Sequence, residues 1–358
     1  MAEATALQCF KQSLPWHVDV VNMANWETDE RIGIESVLEK RPIPDVCLMV
    51  KRSVDERAVE GYVAWCKRHK ALLIMDVLDH ERFVDKLMRP RNAWYFTSPE
   101  ASAYDGLLLQ TERVEAMVNR WRPEIRTRTL YHHHTNPGFQ NDLSLMDPVK
   151  TVGLFSDAGH FPATEELSAL VAALCRASES MERFLVWGRD IVLRPVKKVF
   201  PCTNGRGLRE VDMDNQTEVE LAYREHELGQ QKFHTPSLLD EVQLGLLWPP
   251  NTNPSTLERP PTRMLHWMSH GVPVVFYPYT AYVEVARSGG YFMNNGRLPV
   301  ADSVNSLEQV VRQLTAPAGR EERLRLRSVG LEIARNYTLE QTAFRLVEFL
   351  KEVMKDRP

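Results

Sequence analysis

Thr262 and Arg263 place a hydroxyl beside a guanidinium directly after Pro260 and Pro261. A proline has its φ fixed and lacks an amide hydrogen, so the pair suits the first turn of a helix that residues 262–270 continue. The amides of a first turn and the positive end of the helix dipole favour an anion. A hydroxyl and a guanidinium there could complete a phosphate site. The same spacing also fits a solvated arginine on a helix that merely packs on a sheet.

Five other stretches carry side chains suited to proton transfer or to holding a polar ligand. Asp76 ends an apolar run, LLIMDV, and is followed by Asp79 and His80. A carboxylate or imidazole there could take a proton from a hydroxyl as general base, while Asp79 equally suits a helix N-cap. His132, His133 and His134 are consecutive, so they cannot all face one point, which argues against a metal site from this run alone. Ser156 and Gly159 follow TVGLF, and Gly188 and Arg189 follow FLVW; Gly159 would let backbone approach a ligand closely. Residues 249–257, PPNTNPSTL, are rich in turn formers and in hydroxyl and amide groups, Asn253 among them, and fit either a ligand contact or a surface connection.

The elements that must position these residues are short strands alternating with helices. Residues 18–23, 46–50, 72–77, 94–97 and 107–110 are strand-like runs, with a helix over 55–69. A second series follows: strands at 151–155, 184–187 and 244–248, and helices at 164–176 and 238–242. The proline-led helix comes next, closed by Gly271, and then a strand over 272–276. Residues 191–224 read as surface loops or an insertion, and 286–290 as a break. Helices are expected at 306–314, at 320–335 with a solvated charged face, and at 337–355 with Phe344, Val347, Leu350 and Val353 as its apolar stripe. Such alternation makes a mostly parallel α/β sheet, whose ligands bind at the C-terminal ends of its strands.

With 358 residues the chain has room for two such domains, and a polar stretch with a proline, residues 141–150, marks the boundary. A formal charge of −4 calls for neither nucleic acid nor an anionic membrane. No apolar run approaches the ~20 residues of a membrane span. The opening residues show no basic segment followed by an apolar one, which points to a cytoplasmic protein. Cys9, Cys47, Cys66, Cys175 and Cys202 are scattered, with no C-x-x-C, and read as reduced core thiols.

The stretch ERPPTRMLHWMSHGVPVV, followed by Glu284, resembles the donor-binding segment of GT-B glycosyltransferases. Its usual form is a basic residue, two prolines or similar, Thr or Asn, Lys or Arg, a helix, Gly-x-Pro-Val-[VI], and an acidic residue in the next loop. Arg259, Pro260, Pro261, Thr262, Arg263, Gly271, Pro273, Val274, Val275 and Glu284 occupy those positions. The chain departs from the family in two places. Retaining members carry a second glutamate eight positions after the first; here Glu258 is the first and His266 takes the other's place. No glycine-rich loop follows the first strand.

The resemblance implies two Rossmann-like domains facing a cleft. Residues 1–147 would be the acceptor side and 148–335 the nucleotide-sugar side, with the helix of 336–358 crossing back to the first domain. It implies a hexosyltransferase-like enzyme that moves a sugar from a UDP- or GDP-linked donor to a saccharide, lipid-linked or small-molecule acceptor, with no cofactor and no metal. Ser156, Gly159, Gly188, Arg189, Asn253, Glu258, Thr262, Arg263, His266, Tyr282 and Glu284 would bind the donor. Asp79, His80 or His134 would serve the acceptor as catalytic groups. A nucleotide-sugar 2-epimerase of the same fold, or a non-catalytic partner or scaffold protein, are the alternatives.

Overall fold

A computed structural model describes residues 43–50, 56–77, 104–134, 147–155, 162, 164–178, 180–181, 183–188, 207–212, 242–249 and 257–355. The strands expected at 18–23 and 94–97, and nearly all of the helix expected at 238–242, lie outside the described residues. The chain divides into two compact units. One comprises Met1–His132, Glu258–Pro260 and Leu339–Pro358; the other comprises His133–Leu257 and Pro261–Thr338.

The first unit is built on a parallel sheet. Strands β1 (Val46–Val50), β2 (Leu72–Asp76), β3 (Gly106–Leu109) and β4 (Arg126–Thr129) lie in that order. Side chains of period two send Leu73, Met75, Leu107 and Leu109 to one face and Ile74 and Leu108 to the other. Helices α1 (Glu56–Arg68) and α2 (Glu112–Trp121) cover the first face with Trp65, Cys66, Val114 and Val118. Thr111 caps α2, its Oγ1 accepting from the Val114 amide at 3.1 Å. The last helix of the chain, Leu339–Lys355, covers the second face with Leu346, Phe349, Leu350 and Val353. Its Phe349 explains Gly106, because a Cβ at that position would stand 3.0 Å from Phe349 Cζ.

The face of that last helix differs from the expected stripe. Phe344 is 62% exposed, whereas Phe349 is buried. Stepping by threes drifts about 60° around a helix at every step, so 344 and 353 end on opposite sides. The run 346, 349, 350, 353 keeps to one face.

The second unit holds β5 (Thr151–Phe155), α3 (Thr164–Ala177), β6 (Arg183–Gly188), β7 (Gly207–Asp212), β8 (Leu244–Leu247), α4 (Thr262–Ser269), β9 (Val274–Phe276), α5 (Thr280–Ser288), α6 (Val304–Thr315) and α7 (Arg320–Arg335). The last helix of the chain, Leu339–Lys355, is α8. All five strands are parallel, ordered β7-β6-β5-β8-β9. Taken as first to fifth within this unit, that is the doubly wound order 3-2-1-4-5, whose direction reverses between β5 and β8. Trp267 of α4 packs over that point. A Cβ at Gly153 of β5 or Gly245 of β8 would stand 2.9 Å or 3.1 Å from its indole, so both strand glycines make room for one ring.

The structure departs from three further expectations. Residues 207–212 are not loop but the edge strand β7, paired along its length with β6. Residues 286–290 do not begin with a break: α5 runs through Ala286, so Glu284 lies on a helix and not in a loop. The charged helix α7 is not solvated along its charges. Arg323 is fully buried, its Nη2 2.9 Å from Asp147 Oδ1 and its Nη1 donating to the Leu314 carbonyl. Glu322 is buried too, accepting from the Asn294 amide at 2.8 Å and from Arg325 at 2.6 Å. Buried charge of this kind is tolerated because it is paired and hydrogen-bonded.

Candidate functional site

The C-terminal edge of the second sheet gathers the start of α4, the residue after β8 and the segment after β9. Helix α4 must begin at this edge, because it leaves the end of β8 and returns the chain to the start of parallel β9. Pro261 occupies its N-cap position with φ −80°, no side chain caps it, and no acidic residue stands in its first turn. Thr262 and Arg263 are half-buried there. Gly271 ends the hairpin of helix and strand at φ 65°, a left-handed conformation that favours glycine. Helix α5 starts at the same edge, and it too has neither a side-chain cap nor an acidic first turn. Neither helix has an acidic residue in its first turn, and both direct the positive ends of their dipoles to one sheet edge.

Aromatic rings line that edge. Trp248 follows β8 and is 3% exposed, its Nε1 donating to Glu166 Oε1 at 2.7 Å. Tyr277 follows β9, its amide donating to the Leu247 carbonyl at 2.8 Å. The Tyr277 ring meets Trp248 edge-on at 5.4 Å and Tyr279 at 6.1 Å. Tyr282 is buried between Tyr279, at 4.5 Å, and Phe276, at 6.0 Å, so its ring belongs to the packing beneath the edge. Glu284 stands half-buried one turn further along α5.

Of the other expected donor residues, His266 lies buried on α4 with its ring 4.9 Å from that of His270. Gly188 ends β6 opposite Asp212, at the C-terminal edge. Glu258 belongs to the first unit. Its Oε2 accepts from Thr111 at 2.9 Å and its Oε1 lies 3.3 Å from Arg113, both beside the start of α2. Thr111 thus bridges the helix it caps and a buried carboxylate. Ser156, Gly159, Arg189 and Asn253 lie outside the described residues, as do Asp79 and His80.

The histidine run resolves into different surroundings. His134 is 2% exposed; its Nε2 is 3.0 Å from the Ala334 carbonyl and its amide donates to Tyr337, which makes it a tether within the second unit. His132, in the first unit, has its Nε2 3.9 Å from Oδ2 of Asp76, with side chains 23% and 16% exposed. The pair stands at the C-terminal edge of the first sheet, within reach of solvent. Proton transfer to such an imidazole leaves a cation that the neighbouring carboxylate stabilises. Asp76 was legible as a strand-end carboxylate. Which histidine meets it depends on where the chain turns after β4.

Among the described residues no group of three His, Cys, Asp or Glu side chains is placed to hold a metal ion, and no helix is long and apolar enough to cross a membrane.

No protein-family model matches the chain, and no curated protein matches it. Solved structures do. A glycosyltransferase from Rickettsia africae superposes with a TM-score of 0.59 at 11% identity, over 96% of this chain and 85% of that one. Anabaena HepE, solved in complex with UDP, gives 0.52 at 14%, over 85% and 78%. The pneumococcal O-GlcNAc transferase GtfA, solved with UDP and GlcNAc, gives 0.48 at 12%, and this chain spans only 57% of its length. At such identities the likeness, carried by the first two, is one of fold: the chain is built on the GT-B plan.

Proposed function

We propose that the chain is a glycosyltransferase that takes its sugar from a UDP- or GDP-linked donor held by the second unit. The observation that carries this reading is the start of α4. Thr262 and Arg263 stand in an uncapped first turn, beside the reversal point of a doubly wound sheet. Ligands of such sheets sit at that point, and helix starts favour phosphate.

In the proposed reaction an acceptor oxygen bonds to the anomeric carbon as the bond from that carbon to the diphosphate breaks. The electron pair leaves with the diphosphate, whose added negative charge the guanidinium of Arg263, the Thr262 hydroxyl and the helix dipole stabilise. The acceptor's proton passes to a base, for which His132 with Asp76 is the proposed pair in the first unit. Asp79 and His80 are alternative bases from the sequence. Glu284 would accept hydrogen bonds from hydroxyls of the donor.

Binding and kinetics of Arg263→Ala test the reading. Charge-assisted hydrogen bonds contribute about 1.5–3 kcal/mol, so the affinity for nucleoside diphosphate should fall about 10- to 100-fold. Wild-type protein that shows no thermal shift with millimolar UDP, GDP or their sugars would remove the proposal, since a ligand at 100 times its Kd stabilises by about 2.7 kcal/mol. Conversion of the donor sugar without any acceptor would instead assign the chain to an epimerase of the same fold.

A further inference from the structure

We infer that Tyr277 is the platform on which the pyranose ring of the donor rests, an inference that takes the nucleotide-sugar reading as its premise. The residue is the first after β9, and the hydrogen bond from its amide to the Leu247 carbonyl holds it beside Trp248. It therefore sits at the edge where α4 presents Thr262 and Arg263.

Its ring is half-buried, and both ring contacts are perpendicular, at 77° to Trp248 and 75° to Tyr279. Among the described residues no ring lies parallel on it. Its neighbours are fixed: Trp248 is locked by Glu166, and Tyr279 is buried against Tyr282. Tyr277 is thus a preorganised flat surface that loses little entropy when a ligand is laid on it.

A pyranose presents C–H groups on one face and hydroxyls around its rim. An aromatic face matches the former, and the half-buried carboxylate of Glu284, on the helix that starts just after Tyr277, matches the latter. The diphosphate that joins sugar to nucleoside would lie toward the start of α4. This division assigns the anion to Arg263 and the sugar ring to Tyr277.

The test compares wild type, Tyr277→Ala and Tyr277→Phe by calorimetric titration with UDP, GDP, UDP-glucose, UDP-N-acetylglucosamine and GDP-mannose. The expected result is that Tyr277→Ala weakens the sugar nucleotide about three- to tenfold and leaves the parent diphosphate unchanged, while Tyr277→Phe changes neither. Equal weakening of diphosphate and sugar nucleotide would show that the ring carries the nucleoside and overturn the inference. So would no change in either, or wild-type protein that binds a diphosphate but none of the sugars. Wild-type protein that binds no ligand at all overturns the nucleotide-sugar reading, and this inference with it. If Tyr277→Ala does not fold, Tyr277→Leu keeps the volume without the aromatic face and is read in the same way.

Discussion

The indole of Trp267 occupies the space where a side chain at Gly245 would stand, its Cδ2 3.1 Å from a Cβ built on that residue. The same ring abuts Gly153 on the neighbouring strand, and it is fully buried, so it has little room to retreat. Trp267 is thereby a spacer that sets how closely α4 lies on the sheet beneath the candidate site.

Gly245→Ala should therefore overpack this contact and destabilise the protein by about 1–3 kcal/mol. Trp267→Leu should cost about 3 kcal/mol or more through the cavity it leaves. In that background the alanine at 245 should cost much less, because its nearest neighbours are all atoms of Trp267. Denaturant melts of the four proteins in the double-mutant cycle measure the coupling. Additive losses would mean that the helix is held at its height by something else.

The Asp76 and His132 pair predicts a kinetic signature. If this imidazole receives the acceptor's proton, His132→Gln should lower kcat by about 100-fold or more. Asp76→Asn should lower it less, and the thermal shift given by the donor should be unchanged in both. A His132→Gln enzyme with wild-type kcat would move the role to Asp79 or His80.

Tyr291 predicts an alkaline limb of stability. Its hydroxyl is fully buried and accepts from the Val274 amide at 2.8 Å, and burial pushes its pKa well above the ordinary tyrosine value. The neutral form is favoured in the folded state, so the stability it contributes is complete below the unfolded value of about 10 and is lost as pH rises past it. Tyr291→Phe should cost about 1–3 kcal/mol at neutral pH by leaving a buried amide without its acceptor. It should also flatten the fall in stability above pH of about 10. Melting curves of both proteins from neutral to alkaline pH check the two effects together.

Much of the second unit could be read from neighbouring residues. TVGLF, FLVW, LGLL and VVF are short apolar runs bounded by turn chemistry, the Pro-Pro pair suits a helix start, and Gly271 suits the left-handed turn that follows α4. The GLREVD strand has no local signal, because it lacks an apolar run and owes its conformation to pairing with β6. Helix α2 is short and only weakly marked. Its signals were Thr111 ahead of Glu112 and the pair Val114 and Val118, four apart on one face.

Neighbouring residues alone fix a local grammar: an α/β chain, a proline-led helix between two strands, and a hydroxyl and a guanidinium in its first turn. Those features depend on fixed dihedrals and on side chains a few residues apart. Packing of remote segments brings Glu258 to Thr111 and Arg113, Asp147 to the buried Arg323, and His132 to within 3.9 Å of Asp76. Each of these is a bond between groups remote along the chain or on the far side of a turn. Its existence follows from how sheets and helices pack, which no local pattern of residues encodes.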